Sequence, residues 1–370
     1  MRRSAIVGAR GPECAPDPGD GDRDPRRARS GRRRAGIPIP SRGLMGLLAL
    51  TLIGLMAMAR DDPGREPPPT RLISGEPGMM ALGFALSPDG KMIATTRCDG
   101  RVSLRGRGVE RILNPRGWAS RGLAFSPDGR TLAVGRDEPG ILLFDIVGGG
   151  SPITLSTPLP LTRALAFAPD GRTLAATTRR GGEILLWDLA SDRARTRLHG
   201  RSPALDIAFS PDGRTLAAGE RREQAVTLWD LETGRSRCLF KAQSGSINSV
   251  AFSPDGGLLA AAGPSDRLVR LWDPASGRLR LRISGHAFGT HAVRFSPDGG
   301  LLVTAGSDGR VRIWRVETGE RVASLDGRTS VLPQVFLSAD GRMLAAAGWS
   351  DDHIRVWDLG EIGTIPSRGP

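Results

Sequence analysis

The chain has 370 residues, of which 39% are hydrophobic, and it carries a formal net charge of +13. The repeats described below occupy nearly all of the sequence after residue 70, so no second catalytic domain fits beside them. All but two of the basic residues are arginines and tyrosine is absent, which a bias toward GC-rich codons explains at least as well as a polyanionic partner. The charge alone therefore does not indicate nucleic-acid binding.

The first 42 residues are rich in Arg, Pro, Gly and Asp and show almost no aliphatic periodicity. Such a composition cannot bury enough apolar surface to fold. We therefore predict a disordered leader over residues 1–42.

An uncharged apolar segment, GLMGLLALTLIGLMAMA, follows over residues 43–59. Its length is at the lower limit for crossing a bilayer, and the arginines before it predict a cytoplasmic N-terminus with the rest of the chain exported. Ala57-Met58-Ala59 has the small-x-small form of a signal-peptidase site, so a cleaved signal and a retained anchor both remain open. A third alternative is a cytoplasmic protein in which this segment does not insert. Residues 60–69 form a proline-rich linker.

Near-copies of Phe-Ser-Pro-Asp-Gly recur seven times between Phe84 and Gly341. Their spacing is about forty residues, read at the turn positions Pro88, Pro127, Pro169, Pro211, Pro254, Pro297 and Ala339. Repeats of this length, each made of four short strands, are typical of a β-propeller. The sequence therefore predicts an all-β fold over residues 70–359, a seven-bladed propeller of four-stranded antiparallel blades, followed by a C-terminal tail over residues 360–370.

The fifth repeat shows the strands most clearly, at Ile247–Phe252, Leu258–Ala262, Leu268–Trp272 and Leu279–Ile283. Between the first two, Pro suits the second position of a turn, Asp the third, and Gly the left-handed position that closes the hairpin. We therefore interpret the repeated Asp as a turn residue and not as a catalytic acid.

Closure of the ring is also predicted by the sequence. After Trp357 no good fourth strand remains, whereas residues 70–75 (TRLISG) copy the fourth-strand text of residues 280–285 (RLRISG). We predict that the N-terminal strand, residues 70–74, completes the last blade.

The third strands of several repeats end in Trp-Asp, at Trp187-Asp188, Trp229-Asp230, Trp272-Asp273 and Trp357-Asp358. With the spacing, this resembles the WD40 repeat family over about four-fifths of the chain. The resemblance implies that His286, Thr304, Asp308 and Trp314 form a structural set of hydrogen bonds. The first two repeats depart from the pattern, with Leu104-Arg105 and Phe144-Asp145 in place of the Trp-Asp pair.

Motifs of catalysis are not evident. The chain has four histidines, no nucleophile elbow, no phosphate-binding loop and no alternating Cys/His spacing. His286 and His291 are five residues apart, but His286 has the structural role above. We therefore predict no catalytic residue, no metal and no cofactor.

Function in a repeat ring resides in loops carried on a rigid scaffold. Trp and Arg are the residue types most often found as interface hot spots. One side of the predicted ring carries such residues in its loops, and we predict that they bind partners: Trp118, Trp349, Phe288, Arg179, Arg180, Arg221 and Arg222. Packing of the two tryptophans over blade edges is the alternative.

These observations predict a monomeric, non-catalytic scaffold for protein or peptide partners, secreted or tethered on the outer side of a bacterial-type membrane through residues 43–59. One alternative is a propeller that holds a small molecule or cofactor, as an enzyme would. Another is a cytoplasmic propeller whose basic tail binds nucleic acid or anionic lipid. We do not expect the propeller itself to bind nucleic acid.

Overall fold

The computed structural model describes thirteen segments of the chain: residues 69–74, 81–97, 99–106, 109–114, 119–136, 138–157, 161–178, 182–191, 193–222, 225–241, 245–329, 331–348 and 353–360. The predicted leader (1–42), the apolar segment (43–59) and nearly all of the linker and tail lie outside them. Within these segments 28 β-strands form seven separate four-stranded antiparallel sheets. The all-β fold and the count of seven blades are confirmed.

In each blade the four strands follow one another as an antiparallel meander. The first strand of a blade is its innermost strand, and the fourth lies at the outer edge. Blades 1 to 4 consist of β2 (Ala81–Leu86), β3 (Met92–Arg97), β4 (Val102–Gly106), β5 (Val109–Asn114); β6 (Ala119–Phe125), β7 (Thr131–Arg136), β8 (Ile141–Asp145), β9 (Ile153–Leu155); β10 (Leu161–Phe167), β11 (Thr173–Thr178), β12 (Glu183–Asp188), β13 (Arg193–His199); and β14 (Ala204–Phe209), β15 (Thr215–Glu220), β16 (Ala225–Asp230), β17 (Ser236–Lys241).

The remaining strands form blades 5 to 7, and the last of these includes β1 from the start of the described chain. They are β18 (Ser249–Phe252), β19 (Leu259–Ala262), β20 (Leu268–Trp272), β21 (Leu279–Ser284); β22 (Thr290–Phe295), β23 (Leu301–Gly306), β24 (Arg310–Arg315), β25 (Arg321–Asp326); and β26 (Gln334–Leu337), β27 (Met343–Ala347), β28 (His353–Asp358), β1 (Arg71–Ser74). None of the described segments contains a helix with the length and apolarity needed to cross a membrane.

The blades close into a ring. Each innermost strand contacts the innermost strand of the next blade, from β2 through β6, β10, β14, β18 and β22 to β26, and β26 contacts β2 again. The last sheet has the order β1-β28-β27-β26, with Arg71 opposite Val356 and Ser74 opposite His353. The predicted closure by the N-terminal strand is therefore confirmed.

Apolar packing between neighbouring blades forms the core. Trp187 of blade 3 packs in one cluster with Ala133 and Ile141 of blade 2, and Trp229 and Trp357 occupy the same place between later blades. All three indoles are fully buried. Small residues on the second strands, such as Ala133, let neighbouring sheets approach closely. This close approach is needed because a forty-residue repeat cannot bury both faces of its sheet by itself.

The seam between blades 7 and 1 is built differently. In blade 7, Trp357 lies opposite Leu344 on the neighbouring strand. The equivalent residue of blade 1 is Arg105, opposite Ile93, so blade 1 has no indole at this position. The aromatic contact comes instead from Phe84 and Phe336, whose ring centroids lie 4.9 Å apart in an edge-to-face arrangement.

Two hydrogen bonds also cross this seam. The amide of Phe84 donates to Oε1 of Gln334 at 3.1 Å, and the amide of Ala339 donates to the carbonyl oxygen of Pro88 at 2.8 Å. The second bond requires the departure of the seventh repeat from the motif, because a proline at position 339 would have no N–H to donate.

Substitutions on β1 test how much the ring depends on its closing strand. Ile73 packs against the cluster at the seam, whereas the side chain of Leu72 is 47% exposed. We expect Ile73→Asp to lower the free energy of unfolding by about 2 kcal/mol, because it places a charge against apolar surface. The matched control Leu72→Asp is expected to change it by less than about 0.5 kcal/mol. Urea unfolding of the full chain measures both, and equal effects would contradict the role of β1.

Candidate interaction surface

The connections of each blade lie on two opposite sides of the ring. We call the side formed by the connections before each first strand and between the second and third strands the loop face. The other side, formed by the hairpin turns between first and second and between third and fourth strands, is the turn face. The two faces differ in what their side chains are free to contact.

On the turn face the repeated Ser-Pro-Asp-Gly segments form one hydrogen-bonded turn in blade after blade. In blade 2, Oγ of Ser126 donates to Oδ1 of Asp128 at 2.5 Å, and that oxygen also accepts the amide of Arg130 at 3.0 Å. The amide of Thr131 donates to the same hydroxyl oxygen at 2.9 Å, and Gly129 has a φ of 70°. The Asp thus stabilises the turn.

The same hydrogen bonds set the charge state of the turn carboxylates. Donation from the serine hydroxyl, followed by donation from the backbone amide two residues on, lowers the pKa of the turn Asp from its usual value. This applies to Asp128, Asp212, Asp255 and Asp340. These groups are held as anions in turns and are poorly suited to proton transfer near neutral pH.

The structure brings together the four residues of the set in blade 6. Nε1 of Trp314 donates to Oγ1 of Thr304 at 2.8 Å, and the Thr304 hydroxyl lies 2.9 Å from Nε2 of His286. Nδ1 of His286 lies 2.7 Å from Oδ1 of Asp308. The ionised Asp308 carboxylate can only accept, so the proton of the neutral imidazole lies on Nδ1, and Nε2 accepts the Thr304 hydroxyl. Nη1 of Arg312 donates to Oδ2 of the same Asp at 2.6 Å.

Burial and charge fix the ionisation of this network. Burial lowers the pKa of His286, against the opposing effect of Asp308. Burial alone would raise the pKa of Asp308, but its hydrogen bonds to His286 and Arg312 and the charges there outweigh it and lower the pKa to about 2. The network therefore holds a neutral imidazole beside an ionised carboxylate, which suits a structural role.

The sequence reasoning missed Arg312. Its signal is the spacing of four residues from an Asp in the turn to an Arg on the third strand. The same spacing recurs in blade 5, where Asp266 and Arg270 also form an ion pair. Two occurrences in consecutive repeats would have indicated the pairing.

Protonation of His286 provides a test of the network. The unfolded imidazole has a pKa of 6.5 and the folded one a lower pKa, so between these values the unfolded chain binds more protons and stability rises with pH. Its contribution is fully present above pH 6.5 and is lost as the pH falls through the folded pKa. We expect the free energy of unfolding to fall by up to about 1.4 kcal/mol per pH unit in this window. Urea unfolding between about pH 7.5 and 5 measures it.

His286→Gln should flatten that slope, whatever it does to stability at pH 7.5. The matched control is His199→Gln, because the side chain of His199 is 68% exposed. A slope that is unchanged in the His286 variant, or lost in the control, would contradict the argument.

On the loop face, Phe288 is the most prominent apolar side chain of the described residues, 57% exposed. It lies in the connection before β22. The next residue, Gly289, has a φ of 103°, and a side chain there would meet the carbonyl oxygen of Pro264 in blade 5 at 1.9 Å. Only glycine allows this close approach, which holds the Phe288 loop against the neighbouring blade.

Arg221 and Arg222 lie in the connection between β15 and β16 on the same face, and both are exposed. They belong to blade 4, whereas Phe288 leads into blade 6, so the structure places them two blades apart. The other predicted partner-binding residues lie outside the described segments and stay predictions: Trp118, Trp349, Arg179 and Arg180.

The family "WD domain, G-beta repeat" matches residues 193–230, 234–273, 277–315 and 319–358. Each match runs from the fourth strand of one blade through the third strand of the next. Residues 193–358 therefore carry four WD40 repeats.

Two curated relatives are similar to this chain over a short stretch. The chain is similar to "WD repeat and SOCS box-containing protein 1" of Xenopus tropicalis, 34% identical over 59 residues, and to the human protein of the same name, 32% identical over 59 residues. Each alignment covers 16% of this chain and 14% of the relative. The likeness is confined to these 59 residues, so the chain matches about a seventh of each relative's length.

Cavities of this WD40 ring lie where the sequence did not predict a site. A cavity of about 820 Å³ opens on the turn face at blades 7, 1 and 2, with Met92, Leu104 and Ile146 among its apolar lining. An equivalent cavity of about 790 Å³ lies at blades 3 and 4. Both cavities are lined by the hairpin turns of adjacent repeats. The sequence analysis assigns these turns a structural role and predicts no cavity there.

His286 and His291 each lie within hydrogen-bonding distance of a neighbouring side chain. Nε2 of His291 lies 2.8 Å from Oγ of Ser307, and His286 is engaged in the network of blade 6. Within the segments described, no three residues among His, Cys, Asp and Glu are grouped so that they could hold a metal ion.

Proposed function

We propose that this WD40-repeat protein is a non-catalytic scaffold that binds protein partners through its loop face. The observation that carries the proposal is the exposed Phe288 on a loop fixed by Gly289, on the same face as Arg221 and Arg222. Aromatic and arginine side chains on a rigid scaffold are the usual anchors of protein interfaces.

The state of the acidic and imidazole groups supports a non-catalytic role. The turn carboxylates accept hydrogen bonds from serine and backbone donors, as at Asp128, and His286 is 3% exposed within its network. A general acid or base must reach a substrate proton. These groups are instead committed to holding the blades.

Partner capture tests the loop face. We expect the full-length triple variant Phe288→Ala, Arg221→Ala, Arg222→Ala to lose most of the proteins that the wild type retains in cross-linked affinity capture, with an unchanged melting temperature. The matched control is Val147→Ala, Arg172→Ala, Arg214→Ala on the turn face, where Val147 is 67% exposed and both arginines are exposed. An unaltered set of captured proteins in the loop-face variant, or an equal loss of captured proteins in the control, would contradict the proposal.

We also propose that residues 43–59 export the chain or tether it outside the membrane. Support comes from the sequence, in which an uncharged apolar run follows an arginine-rich leader. In intact cells, added protease should digest the full-length chain and spare a variant without residues 1–59. The mass of the exported chain tells a cleaved signal from a retained anchor, and protection of both proteins would refute export.

A further inference from the structure

We propose that the central channel of the ring binds a short-chain carboxylate, of the size of acetate, on the guanidinium of Arg294. The site lies on the innermost strands and is separate from the loops that carry the scaffold function. Arg294 belongs to none of the motifs described above.

A small cavity lies in the channel, at the beginning of the innermost strands of blades 1, 4, 5, 6 and 7. We call it the channel cavity. Its volume is about 60 Å³, and its polar lining includes Asp206, Asn248, His291, Arg294 and Gln334. One water molecule needs about 10–15 Å³ of such space, whereas pockets for cofactors and drug-sized ligands begin at about 300 Å³. The channel cavity therefore suits a ligand of a few non-hydrogen atoms.

Arg294 is a departure from the repeat. It stands directly before the five-residue turn motif, a position that Phe336 holds in blade 7. Blades 1 to 5 all have alanine there, at Ala85, Ala124, Ala166, Ala208 and Ala251. Blade 6 therefore places a long cationic side chain where most of the repeats have a methyl group.

Neighbouring blades hold one end of the guanidinium. Nη1 of Arg294 donates to Oγ of Ser249 in blade 5 at 3.0 Å and to the carbonyl oxygen of Val293 at 2.7 Å. The central carbon of the guanidinium lies over the ring of Phe336 in blade 7, 5.4 Å from its centroid. A cation is attracted to the face of an aromatic ring at this distance. The side chain is therefore held between blades 5 and 7.

The opposite edge of the guanidinium is left unbonded. Nε and Nη2 of Arg294 have no acceptor among the described residues, and the side chain is 31% exposed. The N–H groups of Nε and Nη2 point the same way, which is the geometry that binds a carboxylate through two parallel hydrogen bonds. This edge therefore favours a planar carboxylate over a spherical anion such as chloride.

Two amide side chains add donors to the channel cavity. Oδ1 of Asn248 accepts the hydroxyl of Ser246 at 2.8 Å, and Oε1 of Gln334 accepts the amide of Phe84 at 3.1 Å. Because both carbonyl oxygens are engaged, the NH₂ group of each amide remains to donate. Neither NH₂ group has an acceptor among the residues that the structure describes. The amides thus offer a bound carboxylate further hydrogen bonds.

The carboxylate that lines the cavity, Asp206, is occupied on both oxygens. Oδ1 accepts the amide of Ile207 at 3.0 Å. Oδ2 accepts the hydroxyl of Ser249 at 3.1 Å and the amide of Val250 at 3.0 Å, and it lies 3.7 Å from Nη1 of Arg294. Asp206 therefore balances the charge of Arg294 without blocking its free edge. Because of this balance, we expect a dissociation constant in the millimolar range.

The rest of the lining distinguishes an organic acid from an inorganic anion. Leu82, Leu205 and Pro333 contribute apolar surface to the cavity, which suits the methyl group of acetate. The imidazole of His291 is engaged elsewhere, with Nε2 lying 2.8 Å from Oγ of Ser307. The site therefore combines a carboxylate fork with a small apolar wall.

Acetate and its neutral isostere acetamide test the site on the full chain. Saturation-transfer difference NMR follows the methyl signals of the two probes at constant ionic strength and yields their dissociation constants. We expect acetate to bind about ten-fold more tightly than acetamide, because its hydrogen bonds to the guanidinium are charge-assisted.

Variants locate the binding, and the melting temperature of each is measured first. Arg294→Gln should weaken acetate binding about ten-fold. Arg294→Lys keeps the charge but loses the fork, so it should recover only part of the affinity. The matched control is Arg214→Gln, an exposed arginine on the turn face, which should bind acetate as the wild type does.

A second variant covers the case in which Arg294→Gln loosens the blades. Asn248→Asp has the same shape, leaves the contacts of Arg294 in place and sets a negative charge at the cavity. It should weaken acetate binding about ten-fold or more, because like charges repel.

Four results would overturn the proposal: equal binding of acetate and acetamide, undiminished binding in both Arg294→Gln and Asn248→Asp, an equal loss in Arg214→Gln, or full affinity in Arg294→Lys. A free acid and an acidic side chain of a partner present the same group. If acetate, but not chloride at the same ionic strength, releases the captured proteins, the carboxylate is the partner's. If capture persists, the ligand is a free acid, and the channel site stands in both cases.

Discussion

Burial of each blade by its neighbours is the constraint on which the rest of the structure depends. A four-stranded sheet of this size has two apolar faces, and here each is covered only by the adjoining blade. An open array would leave two faces in water, so the ring must close on itself. Closure explains why the seventh blade takes its fourth strand from the start of the propeller and why Phe84 and Phe336 replace the missing indole at the seam.

The repeated turn meets a second requirement, which is to reverse the chain at each inner strand without leaving polar groups unpaired. One serine and one aspartate satisfy the turn amides, as at Ser126 and Asp128. Because these side chains are used inside the turn, the turn face offers carboxylates that are already engaged. On the loop face an Asp turn recurs in some described connections, as at Asp266 and Asp308. Other described connections differ between blades, as the loops of Phe288 and Arg221 do.

The blade count and the closing strand could be predicted because both appear as repeated sequence motifs. Seven turn motifs give the number of blades, and a copy of a fourth-strand sequence near residue 70 gives the closing strand. The contacts between different repeats could not be predicted from the repeated motifs, because they depend on how the side chains pack. The amide of Ala339 bonds to Pro88 across the seam because this one position departs from proline. Arg312 joins the network of blade 6 through a contact four residues along the chain. Pro203 lies in a different connection from Arg221, and the fold brings the two loops together through the Arg221 amide.

The direction of β1 has a consequence for how the ring is presented. Thr70 lies beside Asp358, where Oγ1 accepts the Asp358 amide at 3.0 Å, and this end of β28 is on the turn face. The polypeptide thus joins the toroid at the outer rim, on the side bearing the hairpins. A force applied at Thr70 therefore acts first on the pairing of β1 with β28 at that rim and not on the inner strands.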